Sequence, residues 1–423
     1  MYDLLIIGGG AAGFYAAIQA NIENPKLKIA ILERGKTILG KVKVSGGGRC
    51  NVTHAAFDPK VLTENYPRGK KELLGPFHSH STGDVMAFFE ERGVPLKIEL
   101  DGRVFPKSNS SQSIIDCFLN ETKKLGIRVL KNSSVKSFIP LKDSNGWQIT
   151  TMNTDYKCKK LLIATGSNPK VWNLLEDLGH TIIPPVPSLF TFNIKDKRIE
   201  DVQGLSTYAE VKVLTKGHYN SKIVIQLRSK VKEQTVLESD GPLLITHWGL
   251  SGPAILKLSA WGATILNEYK YNFRITVNWV PEYTTEMLET VFFEIKNVEA
   301  KKTIVRTNAV DIPRRLWINL TNASGIDKTL KWADVTKEVI KELALQLTQC
   351  SFKVEGKSTF KEEFVTAGGI DLKEIDFKTF KSKKLPNLYF AGEIINVDAI
   401  TGGFNFQNAW TGAYIAAQAI AKT

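Results

Sequence analysis

The chain has 423 residues, with 56 Lys and Arg against 43 Asp and Glu, four Cys and six His. At roughly 100–200 residues per domain, this length predicts two or three domains and a core that needs no disulfide or metal staple. A hydrophobic content of 43% with 23% charged residues excludes disordered, collagenous and disulfide-scaffold classes, and no apolar run reaches the ~18 residues of a membrane span.

Tyr2 to Gly8 is a short apolar run, the right length for a buried parallel strand. No charged leader or cleavage site precedes it, so a cytoplasmic location is expected. Small residues from Ala11 to Ala20 then predict a helix with no breaker before Asn24-Pro25. Lys28 to Glu33 predicts a second buried strand, which makes residues 1–33 one β-α-β unit. A Gly-rich loop follows at Ser45 to Asn51. Amphipathic helices are predicted at Asp84–Arg92 and Ser113–Leu125, then strands at Arg128–Leu130, Ser134–Pro140, Gly146–Thr151 and Lys160–Gly166.

The character changes near Pro184-Pro185-Val186-Pro187. Residues 188–280 read as strand-like, with alternation at Ala209–Leu214 and Lys222–Gln226. Residues 281–345 read as helical and Lys-rich, and a β segment follows from Val365 to Ile375. Leu388–Gly392 is again a buried strand, and Gly403–Ala421 again a small-residue helix. The expected fold is α/β: a discontinuous Rossmann-like domain (1–187 and 376–423), an inserted β-barrel-like domain (188–280 and 346–375) and a helical insert (281–345).

Gly8-Gly9-Gly10-Ala11-Ala12-Gly13 follows a strand and opens a helix, with Glu33 twenty residues beyond Gly13. Gly8 suits a tight turn, Gly10 a backbone approach to pyrophosphate, and Gly13 close helix–strand packing. The helix N-terminus favours phosphate. Glu33, followed by Arg34, suits ribose hydroxyls and disfavours a 2′-phosphate, so the site expects FAD or NAD. The C-terminal segment decides for FAD. Gly392-Glu393 closes a strand, and Gly403-Phe404-Asn405 opens the last helix, whose N-terminus would stabilise an anionic reduced flavin. Ala164-Thr165-Gly166 ends another strand beside the nucleotide. No second G-x-G-x-x-G follows a strand, so NADH or NADPH is expected only as a transient reductant. Cys50, Cys117, Cys158 and Cys350 form no CxxC pair, which excludes a thioredoxin-reductase-like redox centre and argues against a zinc site.

Together these motifs make the chain resemble the BaiN/RdsA-like family of NAD(P)/FAD-dependent oxidoreductases, also labelled aminoacetone-oxidase-family FAD-binding enzymes. The resemblance rests on the first glycine motif, Ser45-Gly46-Gly47-Gly48-Arg49-Cys50-Asn51, Asp101–Pro106, Thr246–Pro253, Thr366–Gly369, and Gly392-Glu393 through Asp398 to Thr401–Gln407. Gly40–Val44 departs from it, since the family more often has an Arg-Lys pair there. The resemblance implies FAD, a three-part fold and reduction of a conjugated C=C bond. The bond would lie in a uridine of ribosomal RNA or in a steroid-like enone. Small-molecule amine oxidation and RNA binding without turnover are the alternatives.

Either reduction needs an acid and a donor that polarises the carbonyl. Cys50 is the first candidate acid, tuned by Arg49, unless it is only a small buried thiol. Arg49 alternatively holds flavin or phosphate, and His247 faces substrate or is structural. Glu393 and Asp398 contact the ribityl chain or order their loop. Asn405 and Gln407 bind the flavin ring or a base edge, or simply pack. The net charge is +13, from 44 Lys and 12 Arg. It marks either a polyanionic partner such as structured RNA or a Lys-biased solvated surface. Three groups are candidates for phosphate contact: Lys296, Lys301, Lys302, Arg306, Arg314 and Arg315 with Trp317; Arg68, Lys70 and Lys71; and Lys378, Lys381, Lys383 and Lys384.

Overall fold

The computed structural model describes residues 1–141, 146–216, 233–307, 309–358 and 365–422. The chain divides into two compact units, Met1–Pro187 with Lys361–Thr423, and Ser188–Phe360.

The first unit is built on a parallel sheet. Its strands lie in the order Leu388–Phe390, Asp155–Ile163, Tyr2–Ile7, Ile29–Leu32, Arg128–Leu130. Leu4, Leu5, Ile6, Ile31, Leu161 and Leu162 are wholly enclosed. Strands covered on both faces require such unbroken apolar runs. Helices Ala11–Glu23 and Phe404–Ala421 pack on each other. Ala16, Ala17 and Ala20 in one, and Ala413, Ala416 and Ala417 in the other, are fully buried, so the backbones approach closely. Val135–Pro140, Trp147–Thr151 and Asp155–Ile163 form an antiparallel meander. Thr82–Glu90 is the helix expected near Asp84, started by a capping box between Ser81 and Asp84. Helices Pro59–Thr63 and Lys70–Ser79 had no clear periodic signal, and the second contains Pro76. Thr366–Ile370 pairs with Ile182–Pro187, so this returning strand lies with the first unit rather than with the inserted sheet.

The second unit is an antiparallel sheet ordered Cys350–Glu355, Asn272–Asn278, Ser206–Lys216, Glu233–Thr246, Gly249–Ser251, Thr191–Asn193, Lys357–Ser358. Its first and last strands are successive stretches of one segment, so the sheet curls back on itself. Helices Thr285–Val298, Arg314–Ala323 and Lys337–Thr348 share its core through Phe292, Trp317 and Leu343. Residues 188–280 are not strand throughout: Pro253–Trp261 and Ala263–Glu268 are helices. Pro253 sits where a helix tolerates proline, and Ala254, Ile255 and Leu258 form its buried face. The alternation at Lys222–Gln226 lies outside the described residues.

The first unit also buries a histidine. The Tyr15 hydroxyl and His80 Nε2 are hydrogen-bonded at 2.8 Å, and the His80 ring stacks on Tyr414 with centroids 4.1 Å apart. Burial pushes the His80 pKa down from 6.5 to about 4. The folded state therefore holds this ring neutral while the unfolded chain protonates it below pH 6.5. Its contribution is fully present above pH 6.5 and is lost as pH falls through about 4. The difference is about 3 kcal/mol. Thermal midpoints should fall between pH 6.5 and 4, and His80→Phe should fall less over that range. A His80→Phe midpoint that tracks the parent at every pH would contradict this.

Candidate functional site

Strand Tyr2–Ile7 ends at Gly8, whose φ is 118°. A Cβ at Gly8 would lie 2.3 Å from the Ala164 oxygen, and one at Gly13 would lie 2.0 Å from the Gly8 oxygen. Only glycine lets the helix and the strands approach this closely. Gly10 differs, because nothing lies within 4 Å of its Cβ position. Helix Ala11–Glu23 has no side-chain cap. Its first-turn N–H groups, beside that opening, have the character of a phosphate site.

Glu33 closes the adjacent strand. Its Oε2 accepts the Gly9 N–H at 2.9 Å and its Oε1 accepts the Gly35 N–H at 2.9 Å. Each oxygen keeps a lone pair for a ribose hydroxyl. Arg34 beside it is exposed. The Ala164 N–H donates to Ile7 O, and the Ala391 N–H donates to Ile163 O, so three strand ends lie side by side. A Cβ at Gly392 would lie 3.3 Å from Ala12, and one at Gly166 would lie 3.5 Å from the Glu393 carboxylate. The residues singled out on three distant segments thus meet at the carboxyl edge of the parallel sheet, where open α/β sheets bind ligands.

Two further segments flank this edge. The backbone leaves its helical path at Ser45, and Gly46 and Gly47 turn left-handed. Nothing lies within 4 Å of a Cβ at Gly47. Helix Phe404–Ala421 starts at Gly403, with φ 95° and no side-chain cap. A Cβ at Gly403 would lie 2.4 Å from Thr53 O, so glycine is needed for the helix end to abut strand Thr53–His54. Asn51 Oδ1 and Thr165 Oγ1 are buried without a hydrogen-bond partner among the described residues. Such groups are costly unless something completes them. Glycine openings, two uncapped helix ends and unsatisfied polar atoms together fit FAD.

Several candidate side chains are engaged by the fold itself. Cys50 is wholly enclosed; burial pushes its thiol up to about 12, against a smaller opposing effect of the Ser45 hydrogen bond. Arg49 does not activate it. Its guanidinium stacks 3.9 Å from the Phe105 ring centroid and pairs with Glu99 at 2.7 Å. Cys50 therefore has the surroundings of a buried packing residue rather than of an activated thiol. Cys50→Ala should keep bound FAD and stay within about threefold of parental turnover, while losing about 1 kcal/mol of stability. Loss of turnover with normal FAD content would return the thiol to the chemistry.

Asp398 is fully buried and both its oxygens accept from Arg68, so it orders its loop. Arg68 is correspondingly not a surface phosphate contact. Phe404 is buried and stacks on His54 with centroids 4.6 Å apart. The Asn405 amide brackets Ala399, accepting its N–H and donating to its carbonyl, both at 3.0 Å. Gln407 is enclosed between Thr53 and Thr411 and has no free edge for a base. Glu393 pairs with Lys41, in the segment that departs from the family pattern. His247 is exposed in the second unit, in the turn between Glu233–Thr246 and Gly249–Ser251.

The charge also sits differently. Residues 281–345 hold ten basic and ten acidic residues, so the insert is neutral, whereas residues 1–187 hold 25 basic and 17 acidic residues. Trp317 is wholly buried, its indole N–H donating to Ile304 O, and it cannot stack a base. Lys296 donates to Val335 O and Lys302 pairs with Glu299; Lys301, Arg306, Arg314 and Arg315 are exposed. Lys70 pairs with Glu64, while Lys71 is exposed. Lys384 pairs with Glu374, and Lys383 donates to Lys373 O; Lys378 is exposed and Lys381 partly so.

His54 and Tyr66 were not anticipated. His54 Nε2 lies 3.1 Å from Asp101 O, and its ring packs where a Cβ at Gly102 would fall. Burial lowers its pKa, which favours the neutral ring. The Tyr66 hydroxyl donates to Phe404 O at 2.6 Å. Both residues, from one stretch of sequence, contact Phe404 at the helix end; the only hint for His54 was its place three residues beyond the Gly-rich loop. His180 also bridges Glu374 at 2.7 Å and Ser382 at 3.0 Å. Its ring is enclosed and Ser382 Oγ already accepts two N–H groups, so this is a loop fastening without substrate access.

A family model described as the HI0933-like protein Rossmann domain matches residues 2–419. A ribosomal RNA dihydrouridine synthase from Escherichia coli is 29% identical over 99% of this chain and 97% of its own length. A 3-dehydro-bile acid delta(4,6)-reductase from Clostridium scindens is 26% identical over 99% of this chain and 98% of its own length. Among solved structures, 3-ketosteroid-delta4-(5alpha)-dehydrogenase from Rhodococcus jostii RHA1 shares the fold. Its TM-score is 0.51 at 12% identity, covering 100% of this chain and 97% of that one.

Proposed function

Since this chain belongs to the HI0933-like family of FAD-dependent oxidoreductases, we propose that it reduces the C5=C6 bond of a uridine in ribosomal RNA to give dihydrouridine. The observation that carries this reading is the end-to-end similarity to the E. coli synthase. The basic surplus in residues 1–187 supports a polyanionic partner.

FAD, when bound, supplies the hydride. Gly8, Gly10, Ala11, Ala12 and Gly13 would hold its pyrophosphate and Glu33 its ribose. The helix end at Phe404 and the loop Ser45–Asn51 would meet the flavin end, where the helix dipole favours negative charge. The second carbon would also need a proton from an acid. NADH or NADPH would reduce the flavin as a transient visitor.

Ribosomal RNA from cells lacking this protein should be missing at least one dihydrouridine and regain it when the gene is restored. A complete set of dihydrouridines in the deletion strain would reject the reading. The second reading is reduction of a steroid-like enone, motivated by the C. scindens relative. It predicts NAD(P)H-linked turnover of enones with no RNA present.

A further inference from the structure

We infer that Trp248 is a stacking platform for an unstacked RNA base; this rests on the RNA reading above. Six of the eight tryptophans, Trp147, Trp172, Trp279, Trp317, Trp332 and Trp410, are no more than 3% exposed. Trp261 is 38% exposed and Trp248 is 57% exposed. Leaving so large a ring in water forgoes burial that the fold exploits at the six enclosed tryptophans.

The turn that presents Trp248 is rigid. Thr246 Oγ1 accepts the Trp248 N–H at 3.2 Å and donates to Gly249 O at 3.2 Å. Trp248 O accepts the Ile194 N–H at 2.9 Å. Gly249 has φ 141°, and a Cβ there would lie 2.3 Å from Phe192 O. The backbone beneath the indole is therefore fixed on both sides, and little ordering entropy remains to be lost on binding.

The surroundings select the ligand. His247, the preceding residue in the chain, is exposed, and so is Lys195, which directly follows the Ile194 bonded to Trp248. Asp196 is engaged by Arg198 at 2.7 Å. Trp248 follows an exposed histidine and its backbone is bonded next to an exposed lysine, a polar setting unlike the apolar patch that a protein or membrane would require. Stacking with nearby positive charge is how proteins hold unpaired nucleotides, and reduction of a uracil requires a base out of its helix.

The test uses FAD-loaded protein, protein-free ribosomal RNA from the deletion strain, and the parent beside Trp248→Ala and Trp248→Phe. Bound FAD and thermal midpoint confirm that each variant folds. RNA should quench the parent's tryptophan emission. Trp248→Ala should lose most of that quench and bind RNA at least tenfold more weakly, while Trp248→Phe should lose less than threefold. Trp248→Ala binding RNA as tightly as the parent would overturn the inference and leave the RNA reading intact. No RNA binding by the parent, with no dihydrouridine formed, would overturn both. Quenching by a steroid enone and not by RNA would do the same, and would favour the second reading.

Discussion

Gly13→Ala should yield a destabilised protein that binds little FAD. Its Cβ would stand 2.0 Å from the carbonyl oxygen of Gly8, less than any real contact permits. Helix Ala11–Glu23 would have to move off strand Tyr2–Ile7, and both are core elements of the first unit. Overpacking of this kind costs about 1–3 kcal/mol or more. The lost approach would also displace the helix end from the pyrophosphate. Gly10→Ala is the informative contrast. Gly10 has φ −99° and ψ −168°, which any residue adopts, and open space at its Cβ position. The FAD-free variant should keep its thermal midpoint, within about 0.5 kcal/mol of stability. Its FAD dissociation constant should rise at least tenfold, because the methyl group occupies the opening. Undiminished FAD affinity in Gly10→Ala would mean that the pyrophosphate lies elsewhere.

Arg68→Ala should be comparably damaging, for an electrostatic reason. Asp398 has no exposed surface, and Arg68 donates to both of its oxygens. Removing the guanidinium takes a charged partner from a buried carboxylate, a loss that costs about 3–5 kcal/mol when a buried pair is broken. Arg68→Ala with Asp398→Asn should recover part of that loss, since the neutral amide needs less compensation. Chemical denaturation of the four proteins in the cycle measures both effects. If Arg68 were instead a surface phosphate contact, its removal would leave the denaturation midpoint unchanged and weaken only RNA binding.

Much of the cofactor edge was legible in the sequence because glycine spacing is a backbone requirement. Gly8, Gly10 and Gly13 were assigned distinct duties from their positions alone, and steric surroundings consistent with those duties are found at each. The parallel strands were equally legible, since runs buried on both faces leave no other pattern. Side-chain partners across long sequence separations were not. Nothing local in Asp398 announces Arg68, 330 positions away, and nothing in Gln407 announces Thr53, 354 positions away. The burial of Cys50 and Trp317 was hidden for a related reason. A neighbouring cation in sequence says little about burial, and both side chains point into cores. Trp248 is the converse case, an aromatic residue whose exposure shows only once the turn around it is built. Counting acids with bases would have shown that residues 281–345 are neutral.

The most direct test is a single turnover without oxygen. FAD-loaded protein is reduced, freed of reductant, and mixed with ribosomal RNA from cells that lack it. The account predicts that the flavin reoxidises and that one dihydrouridine forms for each flavin oxidised. Flavin that stays reduced in the presence of that RNA, but reoxidises with a steroid-like enone, would contradict it.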